Sequence, residues 1–164
     1  MQRLCYLIVL TLLVAGCADP KTAKTDTLNP EIKILDNGEP SHITVQHCLI
    51  GFSGSVRGKN ISRSKEEAQK LAEEVLAAAR SGEDFDALIK KHTDDSPPGI
   101  YNMANAGIAG YQNRADPSSS IYERTGMVPA FGDVGFTLKV GEFGMSSHNA
   151  TTSPYGWHII KRIK

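Results

Sequence analysis

The stretch ITVQHCLI, residues 43–50, is apolar on both alternations of a strand. Ile43, Val45 and Leu49 fall on one side; Cys48 and Ile50, continued by Phe52, fall on the other. A strand of that kind has to be covered on both faces. One ring interrupts it, His47. At the far end of the chain SPYGWHII, residues 153–160, opens from a turn into a second apolar strand, and His158 stands inside that one. Two apolar strands at opposite ends of one chain each carry an imidazole.

The elements between them read outward from these strands. The loop GFSGSVRGKN, residues 51–60, is rich in glycine and basic side chains. It stops short of a nucleophile elbow because Ser55 stands where the second glycine would be. Ser64 and Glu67 have the spacing of a capping box, and Ala68, Leu71, Ala72, Val75, Leu76 and Ala79 then share one helical face. Ser81-Gly82 ends that helix. A shorter helix is expected from Asp84 to His92, with Phe85, Leu88 and Ile89 inward and Lys90-Lys91-His92 matching the helix dipole. Residues 93–126 have few periodic apolar positions and read as one long loop, which in a compact domain is functional or locally mobile. Val128-Pro129 starts a short helical turn bearing Phe131 and Val134, residues 143–147 suit a short strand, and the last strand runs over residues 156–163. In outline the order is β-ααβ-α-ββ, an α+β domain with a mixed or antiparallel sheet.

The chain begins with Met1-Gln2-Arg3, an apolar run from Leu4 to Val14, and Ala15-Gly16-Cys17. The run falls short of the roughly 20 residues that span a bilayer and has the layout of a secretory signal. Small residues directly before a cysteine resemble a lipobox, so residues 1–16 are expected to be a lipoprotein signal peptide and Cys17 the lipidated residue. An ordinary signal peptide with an incidental cysteine is the other reading. Residues 17–41, punctuated by Pro20, Pro30, Asn37-Gly38 and Pro40, form a polar tether, and residues 42–164 one domain. The expected location is the cell envelope, with the domain extracytoplasmic. Eighteen basic and eighteen acidic residues balance, and this excludes the basic footprint of a nucleic-acid binder. Of three cysteines, Cys5 belongs to the signal and Cys17 is the expected lipid site, which leaves Cys48 without a disulfide partner.

Zinc-binding HExxH, paired CxxC, Walker and dinucleotide-binding patterns are absent, and the five histidines lack metal-ligand spacing. No cofactor and no metal are implied. The remaining candidates are His47, His158, the acidic pair Asp94-Asp95, and the apolar group around Met127 and Phe131. Each also has a plain structural reading: facing histidines that serve the fold, an Asp95 that caps a turn before Ser96-Pro97, and a Met and Phe that belong to the core.

In their order, VQHCLI, SRSKEEAQKLAEEVLAAARSGEDFDALIKKHTDD, TGMVPAFGDVGFTLKVGEF and YGWHIIKRI resemble the parvulin-type peptidyl-prolyl isomerases over most of residues 43–164. The resemblance implies an α+β fold with a small mixed or antiparallel four-stranded sheet flanked by three to four helices. It implies that His47 and His158 lie side by side at the centre of that sheet. Asp95 matches the family's Cys-or-Asp position, and Met127 and Phe131 match two walls of its proline pocket. Tyr155 stands where some members place a hydroxyl, near the last-strand histidine. The family's short glycine-rich turn before the Met is replaced here by a longer connection, from which Tyr101, Met103 or Ile108 would supply a third wall. Arg57, Lys59 and Arg63 are scattered through the loop that is basic in phosphate-selective members, and no phosphate selectivity is expected.

The chemistry suits these residues. Rotation about an X–Pro bond faces about 18–20 kcal/mol because amide resonance must break. An apolar cavity that grips the proline ring favours the twisted amide, with no nucleophile or metal needed. The expected function is isomerisation of X–Pro bonds in proline-containing, unfolded or partly folded exported polypeptides, on a domain held to a membrane by its lipid. The alternatives are a parvulin-fold module that binds such clients or a partner protein without useful catalysis, and a structural envelope lipoprotein.

Overall fold

A computed structural model describes residues 30–164 of the chain. The signal-like leader, Cys17 and residues 18–29 of the expected tether lie outside the described residues. Among those described, no helix is long and apolar enough to cross a membrane.

The strand that carries His47, β1 (His42–Ile50), sits in the middle of a five-stranded sheet. On one side it pairs antiparallel with β5 (Trp157–Arg162), which pairs in turn with β4 (Phe143–Ser146). On the other side lies β2 (Ile100–Ala104), antiparallel to β1, followed by β3 (Ile121–Glu123), parallel to β2. The sheet therefore has five strands in mixed orientation where four were expected. The difference arises in residues 93–126, read mainly as loop: the outline allowed one strand between α2 and α3, and the segment contributes two, β2 and β3. Neither shows a strand pattern of its own; β2 forms because β1 offers it a ladder, and β3 because β2 does.

Both faces of β1 are covered, as its two apolar alternations require. Helices α1 (Lys65–Arg80) and α2 (Phe85–His92) lie on one face. Ala68, Ala72, Val75, Phe85, Leu88 and Ile89 pack there against Cys48 and Ile50 of β1 and Trp157 and Ile159 of β5. Ser64 caps α1 as its spacing predicts: its hydroxyl accepts from the Glu67 amide at 3.2 Å, and the Glu67 carboxylate accepts from the Ser64 amide at 2.7 Å. On the opposite face α3 (Pro129–Thr137) packs Phe131 and Phe136 against Ile43, Val45, Met103 and Ile160. Pro129 at the first turn of α3 forfeits an amide that has no helical partner in any case.

Period-two alternation then decides where the histidines go. On β1, residues 43, 45, 47 and 49 face α3; on β5, residues 158 and 160 do so too. His47 pairs with Ile160 and Leu49 with His158, so the two imidazoles are diagonal neighbours on one face. Cys48 faces the helices instead. It is a free, buried thiol, and burial pushes its pKa up to about 12, which keeps it protonated.

Residues 30–41 are held against the domain. Ile34 and Pro40 form an isolated antiparallel bridge around a turn. Glu39 accepts from Asn105 at 3.0 Å and from Arg124 at 2.8 Å, and Arg124 also reaches Asp133 on α3 at 2.8 Å.

Candidate active site

The site is assembled from six separate segments. His47 comes from β1 and His158 from β5, both only 4% exposed. Their Nδ1 atoms lie 3.3 Å apart and the rings stack with centroids 5.4 Å apart. Asp95 arrives from the turn after α2. Its Oδ2 lies 3.1 Å from His47 Nε2 and also accepts from the Tyr101 hydroxyl at 3.1 Å.

That turn is fastened to the end of β1 at several points. The Thr93 hydroxyl accepts from the Leu49 amide at 3.1 Å, and the Asp94 amide donates to the Leu49 carbonyl at 2.8 Å. The Asp94 carboxylate accepts from the Gly51 amide at 2.7 Å and from the Arg63 guanidinium, which also reaches the Gly51 carbonyl. The two acidic neighbours thus divide their work: Asp94 clamps the loop that follows β1, and Asp95 points over His47. Gly99 completes the arrangement. Its φ is +69°, and a Cβ there would lie 2.4 Å from the His47 carbonyl oxygen.

Proton positions follow from this network. The hydrogen bond from His47 comes first, then one from the Ser96 backbone, in holding the Asp95 carboxyl at about 2 against the cost of burial. An ionised Asp95 only accepts, so His47 Nε2 carries the proton that lies between them. Burial, and then the neighbouring His47 ring, pulls His158 down to about 3 and keeps it neutral. One proton lies between the two Nδ1 atoms, 3.3 Å apart. His158 Nε2 is buried and has no hydrogen-bond partner among the described residues.

This has a measurable consequence. The unfolded histidine titrates near 6.5. Between there and about 3 the unfolded chain holds a proton on residue 158 that the native chain does not. The unfolded state binds more protons in that window, so stability falls as the pH falls through it, by up to about 1.4 kcal/mol per pH unit from this residue. Asp95, whose folded value is depressed, contributes above about 4 and loses its contribution only as the pH nears 2. Urea unfolding midpoints should therefore decline from pH 6.5 to 4 in the parent chain. They should decline less in His158→Leu; equal slopes in the two would contradict a neutral buried His158.

Above the rings is an apolar cavity of about 250 Å³. Its walls include Met127, Phe131, Tyr101 and Tyr155, with His47, His158 and Asp95 at the polar end. Phe131 meets His47 edge-on at 5.1 Å between centroids, and Tyr101 meets it likewise at 5.2 Å. Tyr155 is 45% exposed and stands at the rim. Of the three residues considered for a further wall, Tyr101 lines the cavity, Met103 is packed in the core beside α3, and Ile108 borders a separate groove near residues 30–42.

Three lining residues were not singled out from sequence: Leu49, Val56 and Val128. Leu49 and Val128 read as ordinary apolar positions of a strand and a helix start. Val56 has a recognisable signal in retrospect, as the one aliphatic residue between Ser53 and Asn60. Its loop is held over the cavity by the Arg63–Asp94 clamp at its base and by the Ser55 hydroxyl, which donates to the Tyr155 carbonyl at 2.9 Å. Among the described residues no cluster of His, Cys, Asp and Glu has the makings of a metal centre.

A family model described as the PPIC-type PPIase domain matches residues 32–163. Chaperone SurA of Pseudomonas fluorescens is 31% identical over 135 residues, which cover 79% of this chain and 26% of that protein. Foldase protein PrsA 1 of Lactobacillus johnsonii is 29% identical over 148 residues, covering 88% of this chain and 38% of the relative. The chain thus spans well under half the length of these curated relatives. Among solved structures, the peptidyl-prolyl isomerase ESS1 from Candida albicans superposes with a TM-score of 0.55 at 20% identity, over 80% of this chain and 66% of that one. At that identity the likeness is one of fold.

Proposed function

Since the chain belongs to the PPIC-type PPIase domain family, we propose that it catalyses cis–trans isomerisation of X–Pro bonds in unfolded or partly folded exported polypeptides. One observation carries the reading: a proline-sized apolar cavity opens directly onto the hydrogen-bonded series Asp95, His47, His158. The relatives named chaperone and foldase supply the class of client.

In this reading Met127 and Phe131 grip the pyrrolidine ring, the one with a deformable thioether and the other with a flat face. Tyr101 closes the side next to Asp95, and Tyr155 borders the entrance. Rotation strips the amide of resonance and leaves a more basic nitrogen and a more ketone-like carbonyl. Asp95 supplies fixed negative charge beside the twisting bond. The histidines anchor Asp95 from beneath, in a site whose low polarity strengthens their hydrogen bonds. No group is transferred, so catalysis lies wholly in holding the twisted amide better than the planar one.

Assays of X–Pro exchange with Asp95→Asn test the assignment. Asparagine keeps the shape and removes the charge, so turnover should fall about tenfold or more while KM changes little, because the charge acts on the twisted state. Unchanged turnover would remove Asp95 from the mechanism. Lipidation of Cys17 and envelope anchoring belong to the same proposal and rest on the signal-like leader; a Cys17→Ser chain that stays in the membrane fraction at unchanged mass would overturn them.

A further inference from the structure

The residues that lengthen the connection between β2 and β3 are not needed for the cavity itself. Tyr111 exchanges two backbone hydrogen bonds with Ile121, at 2.8 and 2.7 Å, and this folds the inserted chain onto the outer edge of the sheet. Asn113 ties the loop together through Ser119 and Ser120. Two hollows lie beside it, and each shares one wall residue with the proline cavity. One, of about 300 Å³, shares Met127 with it and is bordered by Gln112, Tyr122 and Glu123. The other, of about 470 Å³, shares Tyr101 with it and is bordered by Ile100, Pro117 and Tyr122. Tyr122 belongs to both hollows and not to the cavity, and its ring lies 5.7 Å from that of Tyr101.

A proline seated between Met127 and Tyr101 has its neighbouring residues leaving over one or both of these shared walls. The chemistry along the way is aromatic, aliphatic and neutral polar: Tyr122, Ile100 at 45% exposure, Pro117 and Gln112. No Lys or Arg lines the cavity or either hollow, whereas Asp95 and Glu123 do. Acidic flanks are therefore repelled, and phosphorylated ones more so.

We propose that Tyr122 and the two hollows it borders form a subsite for the extended polypeptide flanking the bound proline, selective for aliphatic and aromatic over acidic side chains. This rests on the isomerase reading above. It makes the insertion a device for preferring unfolded chains to short peptides, because exposed apolar side chains mark an unfolded client. The walls that both hollows share with the cavity, Met127 and Tyr101, point to the same chain that presents the proline as the occupant.

The test uses the whole protein and two substrates: a four-residue X–Pro peptide, and a peptide of about ten residues, about 33 Å long when extended, with Leu and Phe flanking the same X–Pro. In Tyr122→Ala the KM for the longer peptide should rise about five- to tenfold with kcat unchanged, while both constants for the short peptide stay within about twofold of the parent. Tyr122→Phe should behave as the parent, and replacing the Leu and Phe flanks by Glu should raise KM in the parent. An equal loss on both peptides, or no loss on either, would overturn the subsite. A parent chain inactive on both peptides would overturn the isomerase reading instead. Equilibrium affinity for the long peptide then decides the subsite: weaker binding by Tyr122→Ala supports it, and equal binding overturns it.

Discussion

Phe131→Ala is expected to cut X–Pro turnover by about ten- to a hundredfold. The ring is 2% exposed, forms one wall of the cavity and stands edge-on to His47. A buried phenyl contributes about 1.5–3 kcal/mol of apolar contact. Where that contact grips the ring of a twisting X–Pro bond, its loss appears directly in the rate. The same ring also packs against Val45, Met103 and Ile160, so the alanine chain should be less stable by about 3–5 kcal/mol. Phe131→Leu separates the two effects. It retains most of the volume and should recover most of the stability, but it lacks the flat face and should stay several-fold slow. Turnover that simply follows stability through both variants would show Phe131 to be core and nothing more.

Gly156→Ala is expected to abolish the native fold or to cost upwards of about 4 kcal/mol, among the largest effects of any single methyl. The residue has φ of +139°, and a Cβ there would lie 2.1 Å from the Ile50 carbonyl oxygen and 2.9 Å from its carbon. Both contacts are backbone, so no side chain can swing aside. The close approach lets β5 start against the end of β1, in the register that pairs Trp157 with Ile50 and Leu49 with His158. Forcing the strands apart would therefore separate the imidazoles as well as the sheet. Thermal unfolding of the variant, compared with Gly126→Ala, where a Cβ meets nothing within 4 Å, measures the effect. A melting temperature within a few degrees of the parent would show that the strands part without cost.

How much of this was legible in the chain depended on where each instruction lies. ITVQHCLI announced a strand covered on both faces because its burial is written in its own alternation. Ser64 with Glu67 marked a helix start because caps are local. The strands Ile100–Ala104 and Ile121–Glu123 were not legible, being short, next to Pro97-Pro98-Gly99 or to polar loop, and stabilised by pairing rather than by pattern. The lining role of Val56 was faint for a similar reason. One aliphatic residue in a glycine-rich loop acquires meaning only when Arg63 and Asp94, far apart in sequence, close the loop over the cavity. The resemblance to parvulins located the imidazoles, but the reason they meet is a register, His47 opposite Ile160, that no single strand contains.

The most direct test of the isomerase reading is two-dimensional NMR exchange spectroscopy on an X–Pro peptide mixed with a small fraction of the purified chain. Uncatalysed exchange takes tens to hundreds of seconds, so without the protein no cis–trans cross-peaks build up within a mixing time of about half a second. With it, cross-peaks should appear and scale with protein concentration. Phe131→Ala and Asp95→Asn should weaken them while the peptide still shifts the Met127 methyl resonance. A folded chain that binds the peptide at Met127 yet yields no cross-peaks would contradict the reading, and the cavity would then be a binding site for proline-containing chains without catalysis.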